Sequence, residues 1–150
     1  MKIAVGSDHA AFGLKQKIVD RLKNQGYQVE DFGTHTAESC DYPPIAAAVG
    51  RAVAGHQADR GVLLCGTGIG MSIAANKIPG VRAALVYSVR TAEGTRDHND
   101  TNVLVLAGRE FPDDENLKML DAWMKTPFSG DERHLRRLAQ ITALETGGAS

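Results

Sequence analysis

Apolar residues recur along this chain in two alternating rhythms. Short β-branched runs stand at KIAV (2–5), YQVEDF (27–32), GVLLC (61–65), RAALVY (82–87) and NVLVLA (102–107), and each predicts a strand. Segments of helical period separate them. In FGLKQKIVDRLKNQG (12–26), Leu14, Ile18 and Leu22 recur every four residues and Gly26 supplies a C-terminal stop. PPIAAAVGRAVAG (43–55) opens on prolines, which suit a first helical turn, and closes at Gly55. MSIAANKIPG (71–80) predicts a short helix stopped by Pro79 and Gly80, and SVRTAEGTRDH (88–98) a helix weakened at Gly94. ENLKMLDAWMK (115–125) and DERHLRRLAQITALE (131–145) predict two last helices, with a frayed tail from about residue 146.

Five strands separated by helical segments argue for right-handed βαβ units. The expected fold is α/β: one doubly wound, parallel, five-stranded sheet with helices on both faces and a C-terminal helical extension. No repeat, linker or low-complexity block divides residues 1–150, so a single domain is expected. In such sheets ligands bind beyond the carboxyl ends of the strands.

Composition narrows the function classes. With 150 residues, 43% apolar and 23% charged, the chain suits one globular core. A net charge of −1 without a run of one sign advertises neither a nucleic-acid nor a membrane surface. The apolar stretch of MKIAVGSDHA is too short for a signal-peptide core, and Cys40 and Cys65 have no metal-ligand spacing. A cytoplasmic protein with free thiols is the simplest expectation.

The strand ends carry the candidate chemistry. The first strand leads into Asp8 and His9, the second through a loop to Asp41 and Tyr42, the third to Cys65, and the fifth to Arg109. Taken singly, Asp8 fits a helix N-cap equally well, and Tyr42 a half-buried ring with a wet hydroxyl. Their convergence on one sheet edge favours a site.

The loop CGTGIGMS (65–72) decides what kind of site. A dinucleotide fingerprint needs a sixth-position glycine, where Met71 stands; a P-loop needs a lysine, and GIGMS has none. A phosphatase-type cysteine loop needs a closing arginine, and none lies between Cys65 and Arg82. What remains is a thiol at a strand end, followed by amides that Gly66, Gly68 and Gly70 allow close to a ligand. Those amides and the helix start favour negative charge, on a bound oxyanion and on the thiol alike. Thr67 adds a hydroxyl. The set suits removal of a proton from carbon while the neighbouring oxygen becomes an oxyanion. An arbitrary cysteine here would simply be a small buried hydrophobe; the glycine loop argues against that.

Two further clusters stand out. RDHNDTN (96–102) offers His98 and Asn99 just before the fifth strand. ERHLRR (132–137) puts Arg133, His134 and Arg137 on one face of the last helix, a geometry suited to a phosphate, although such runs are usually solvated.

Together GSDHA, DYP, CGTGIGMSIAANK, HNDTNVL and the RH…R helix resemble, in order and spacing, the type B ribose-5-phosphate isomerases, a family that includes allose- and galactose-6-phosphate isomerase subunits. The resemblance runs to about Ile141. It implies a Rossmann-like, metal-free and cofactor-free aldose–ketose isomerase acting on a phosphorylated sugar. Carried over by motif, Cys65 is the base between C1 and C2. Thr67 and the amides at Gly66, Gly68 and Gly70 steady the enediolate, and His98 opens the furanose ring with Asp8 and Tyr42 nearby. By the same carry-over His9, Arg109, Arg133, His134 and Arg137 bind the phosphate, and Asn99 the sugar. Five- and six-carbon phosphates both remain open, with ribose 5-phosphate the default.

One inference about assembly follows from topology. The helix after the fourth strand runs back from the ligand edge, so His98 and Asn99 lie far from Cys65 within one subunit unless Gly94 breaks the helix. Joint action then requires a homodimer with shared sites, which the family resemblance also implies; a tetramer stays open. A non-catalytic sugar-phosphate-binding subunit and a cysteine hydrolase are the rival readings. The first would split the motifs between chains, and the second would want an arginine cradle.

Overall fold

Strands β1 (Lys2–Ser7), β2 (Gln28–Asp31), β3 (Arg60–Cys65), β4 (Ala83–Leu85) and β5 (Val103–Ala107) form one parallel sheet in the order β2-β1-β3-β5-β4. Between and after them come α1 (Phe12–Asn24), α2 (Tyr42–Ala54), α3 (Ile69–Ala75), α4 (Val89–Asn99), α5 (Asp113–Lys125) and α6 (Glu132–Glu145). The structure is a computed structural model that describes residues 1–147. The doubly wound sheet with a C-terminal helical extension is therefore found as the hydrophobic pattern predicts. Most of the tail expected to fray, residues 148–150, lies outside the described residues.

Side chains alternate across the sheet with period two, which builds two cores. Ile3, Val5, Val62, Leu64, Leu104 and Leu106 face α1 and α5, meeting Leu14, Ile18, Leu22, Met119, Leu120 and Trp123. Ala4, Leu63, Cys65, Val103 and Val105 face the other way, toward Ala46, Val49, Val53 and Met71 of α2 and α3. Each fully buried Leu or Ile contributes about 1.5–3 kcal/mol of transfer free energy, so the sheet interior is the chief source of stability. Cys65 sits at the end of the second alternation, its side chain on the α2/α3 side.

Of the element boundaries that differ from the sequence pattern, two are set by geometry around the site. RAALVY yields only the three-residue β4, because an edge strand pairs on one side alone and its neighbour β5 takes up Ala83–Leu85. Helix α3 begins at Ile69 rather than Met71, because Gly68 takes a left-handed conformation (φ 75°) and turns the chain straight into the helix.

Helix α4 runs unbroken through Gly94, and a Cβ built there meets nothing within 4 Å. Its start carries a capping box between Ser88 and Thr91. Helix α6 rests lightly on its own subunit: His134 is its one buried residue, while Leu135, Ile141 and Leu144 stay exposed. No helix of the described residues is long and apolar enough to cross a membrane.

Candidate active site

Strands β1 and β3 are neighbours, and the chain leaves them toward opposite faces, α1 with one core and α3 with the other. Such a switch point opens a crevice at the carboxyl edge. Asp8 follows β1 directly; its amide donates to the Leu64 carbonyl at 3.2 Å, and its carboxylate accepts from the Ala10 amide at 2.9 Å. Asp8 thus performs the N-cap duty that its position allows, while also bordering the crevice.

The Cys65 thiol is buried, and the Gly68 amide donates to its sulfur at 3.0 Å. The loop is locked from the β5 side, where the Gly108 amide donates to the Cys65 carbonyl and the Arg109 amide to that of Gly66, both at 2.9 Å. Gly70 is needed for close approach: a Cβ there would lie 2.5 Å from the Tyr42 ring carbon Cζ. The tip of the Tyr42 ring, at the start of α2, therefore closes on the loop backbone at Gly70.

These pieces bound one cleft of ≈ 500 Å³, lined by Asp8, His9, Tyr42, Cys65, Gly66, Thr67, Gly70 and Arg109 together with Ile69 and Ile73. The volume is in the range of small-ligand sites. His9 Nδ1 accepts a hydrogen bond from the Cys40 amide at 3.3 Å. With Nδ1 engaged in this way, Nε2 is the ring nitrogen left to meet a ligand. Arg109 is exposed beside it.

The remaining predicted residues are elsewhere. His98 and Asn99 line a second cleft of ≈ 560 Å³ along α4, with Tyr87, Arg90, Thr91 and Gly94. Its lining has no residue in common with that of the Cys65 cleft. The absent side chain of Gly94 keeps the floor of this second cleft open. The expected common face of Arg133, His134 and Arg137 is corrected: His134 is turned inward, 4% exposed, while Arg133 and Arg137 face solvent. Two features hold it inward. The His134 ring packs on that of His98 at 4.7 Å between centroids, and its Nδ1 is 2.8 Å from the Ser129 hydroxyl. Asp97 sets a carboxylate oxygen 3.1 Å from His98 Nε2.

Sequence reasoning passed over several supporting residues. Asp97 adjoins His98 in the RDHND motif and was within reach of inspection. Ser129 and Lys15 carry no local signal. Lys15 is fully buried in α1, yet its ammonium donates to both Asp31 oxygens, at 2.7 and 2.6 Å, and to the Thr34 carbonyl at 2.6 Å. The same stretch is bonded to β1, through Ser7 N to Gly33 O and Thr34 N to Ser7 O, both 2.6 Å. Lys15 thereby ties the loop that leads to Cys40 and Tyr42 against the strand that ends at Asp8. Among the described residues no group of three or more His, Cys, Asp or Glu side chains is placed to hold a metal ion.

A parallel sheet with polar groups gathered at its switch point defines the chain as a Rossmann-like α/β protein with a small-molecule site at the carboxyl edge. Its family is more particular. The ribose/galactose isomerase family pattern matches residues 3–141. Ribose-5-phosphate isomerase B of Escherichia coli K12 is 45% identical over 144 residues, 96% of each chain. The structure of Clostridium thermocellum ribose-5-phosphate isomerase B superposes with a TM-score of 0.96 at 47% identity, covering 98% of this chain and 99% of that one. The enzyme of Mycoplasma genitalium, whose structure was determined with bound ribulose 5-phosphate, gives 0.93 at 41% identity over 97% and 96%. The chain belongs to the ribose/galactose isomerase family and is by class an aldose–ketose isomerase.

Proposed function

We propose that this protein interconverts ribose 5-phosphate and ribulose 5-phosphate through an enediolate, with Cys65 as the base, in a homodimer whose sites are each shared by two subunits. The carrying observation is the single cleft that holds a sulfur with an amide donor, a run of glycine amides, Asp8, Tyr42 and two anion-binding groups, His9 and Arg109.

In the forward direction His98 of the partner subunit takes the proton of the C1 hydroxyl, the bond between C1 and the ring oxygen breaks, and that oxygen is protonated. The Cys65 thiolate then removes the C2 proton. The electron pair forms the C1–C2 double bond and pushes charge onto O1, where Thr67 and the loop amides receive it. As the C2 hydroxyl gives up its proton, O1 gains one, and the thiol returns its own proton to C1. A placed general base is worth about 10²–10⁴-fold and an oxyanion donor about 10²–10³-fold. His9 and Arg109 meet the phosphate from one subunit, and the exposed Arg133 and Arg137 from the other.

Two observations support the shared site. His98 and Asn99 lie along a separate cleft from Cys65, and eleven residues of unbroken α4 separate the carboxyl edge from the end that bears them, a rise of about 16 Å. Helix α6 buries almost nothing against its own subunit, while Tyr42, Ile69 and Ile73 stand exposed at the rim of the Cys65 cleft. Apolar surface of this kind on both elements suits a self-complementary contact.

The test is a steady-state assay of ribose 5-phosphate and allose 6-phosphate in EDTA, comparing wild type with Cys65→Ala. The expected result is turnover of the pentose phosphate, reduced at least about 10²-fold in the variant. Preference for allose 6-phosphate would reassign the substrate, and Cys65→Ala activity within tenfold of wild type would remove Cys65 as the base.

A further inference from the structure

The turn that ends α4 is held far more firmly than a helix end requires. Asp100 is a left-handed C-cap, with φ 43° and ψ 47°, a conformation that glycine or asparagine takes at lower cost. Its carboxylate is gripped from both sides: Arg96 Nη1 donates to Oδ1 at 2.7 Å, and Arg82 Nη2 to Oδ2 at 3.1 Å. Arg82 also donates from Nε to the carbonyls of Asn99 at 3.2 Å and Asp100 at 3.0 Å. Arg96 is buried; it donates to the Thr101 carbonyl at 2.6 Å, and its guanidinium stands 5.8 Å from the Trp123 ring. Trp123 in turn donates to the Thr101 hydroxyl at 2.8 Å.

We propose that Asp100, clamped between Arg82 and Arg96, is a positioning residue: it fixes the end of α4 so that His98 is presented at one angle to the Cys65 cleft of the second subunit. The inference rests on the ring-opening role assigned to His98 above. Its physical basis is that the left-handed cap reverses the chain two residues after His98, so the cap's dihedrals set the direction in which the last turn projects. A conformation that costs energy persists only where its surroundings over-determine it, and here two arginines and two backbone carbonyls do so. Arg82 reaches the cap from the β4 side and Arg96 from α4 itself, which couples the helix end to the sheet.

Chemistry supplies a readout that a merely stabilising role would not move. Ribose 5-phosphate is a furanose in solution and must be opened, whereas ribulose 5-phosphate has its 5-hydroxyl esterified and is already open-chain. Exchange of a C1 hydrogen of ribulose 5-phosphate with D2O needs the enediolate but no ring step, so a misaimed His98 slows isomerisation while sparing that exchange.

The experiment measures kcat/KM for isomerisation of ribose 5-phosphate, and separately the rate of C1 hydrogen exchange of ribulose 5-phosphate in D2O, for wild type, Asp100→Gly, Asp100→Asn, Arg82→Gln and His98→Ala. Asp100→Gly keeps the left-handed backbone and removes the carboxylate that both arginines grip, leaving Arg82 only its backbone acceptors. It is expected to lose about tenfold or more in isomerisation and under about threefold in exchange, as is Arg82→Gln, with partial recovery in Asp100→Asn. Equal losses in isomerisation and exchange, or no loss, would overturn the clamp; if Asp100→Gly does not fold, Asp100→Asn and Arg82→Gln decide. His98→Ala reports separately on the underlying reading: equal losses in isomerisation and exchange there would overturn the ring-opening assignment itself, and the clamp with it, whereas a His98→Ala that loses isomerisation but keeps exchange, beside equal losses in Asp100→Gly, would overturn the clamp alone.

Discussion

The amide of Gly68 points at the sulfur of Cys65, 3.0 Å away, across a loop of only two intervening residues. This contact exists because Gly68 has φ 75°, and because Leu85 and the Leu106 carbonyl close the space above it. A Cβ at position 68 would fall 2.4 Å from Leu85 Cδ1. Gly68→Ala is expected to lower stability by about 1–3 kcal/mol and to reduce kcat more than it raises KM. Urea unfolding and steady-state kinetics together check both halves; an unchanged kcat in a destabilised protein would mean that the amide contributes nothing to the reaction.

The proposed sharing of each site between Cys65 of one subunit and Arg137 of the other can be tested by complementation. Cys65→Ala and Arg137→Ala are each expected to be weak as homodimers. Mixed dimers place both changes in one site and leave the other intact. Equal mixing should restore about a quarter of wild-type activity, since about half the dimers are mixed and each has one good site of two. Refolding the variants together and assaying the mixture reads this directly, and simple averaging of the two weak activities would contradict the shared site.

Lys15 joins α1 to the loop after β2 through three acceptors at 2.6–2.7 Å. Lys15→Met fits the apolar stem but leaves Asp31 and the Thr34 carbonyl without their donor. Asp31 keeps some solvent access, so the loss is set at about 1–3 kcal/mol, below that of a fully buried unpaired charge. Because the loop carries Cys40 to His9, affinity for inorganic phosphate should weaken as well. Calorimetric titration of phosphate against the variant tests the link; an unchanged Kd would confine Lys15 to stability.

Away from the site, Asp121 supplies a pH signature. Burial pushes its carboxyl up, but hydrogen bonds from Arg21 and from Gln25 at 2.8 Å, with the Arg21 charge, carry it below the usual carboxylate range. A folded-state value below the unfolded one stabilises the protein above the unfolded value and ceases to do so as the pH falls through the folded one. Asp121→Asn should therefore be less stable than wild type by about 0.5–1 kcal/mol at pH 7, and the gap should close below about pH 3–4. Thermal melts of both proteins across that range give the answer. A gap that widens in acid would reverse the sign.

Much of this molecule was legible in the chain itself. The alternation of short β-branched runs with four-residue apolar spacing prescribed every strand and helix, since burial on two sheet faces demands those periods. The carboxyl-edge rule then collected Asp8, Tyr42, Cys65 and Arg109, all of which border one cleft. Local chemistry sufficed for these because each sits at a strand end or within a loop of its own glycines. Other features needed the third dimension. The inward turn of His134 depends on which face of α6 meets α4, and the four basic residues of ERHLRR looked alike from sequence. Lys15 and Asp31 are sixteen positions apart, and nothing local distinguishes that lysine from its solvated neighbours Lys17 and Lys23. The same holds for Asp100, whose two arginines come from different elements. Periodicity is a property of neighbours along the chain, so sequence determined the elements and the edge at which they deliver their polar groups. Which charges are paired, and which histidine is buried, is decided only when elements distant in sequence pack against one another.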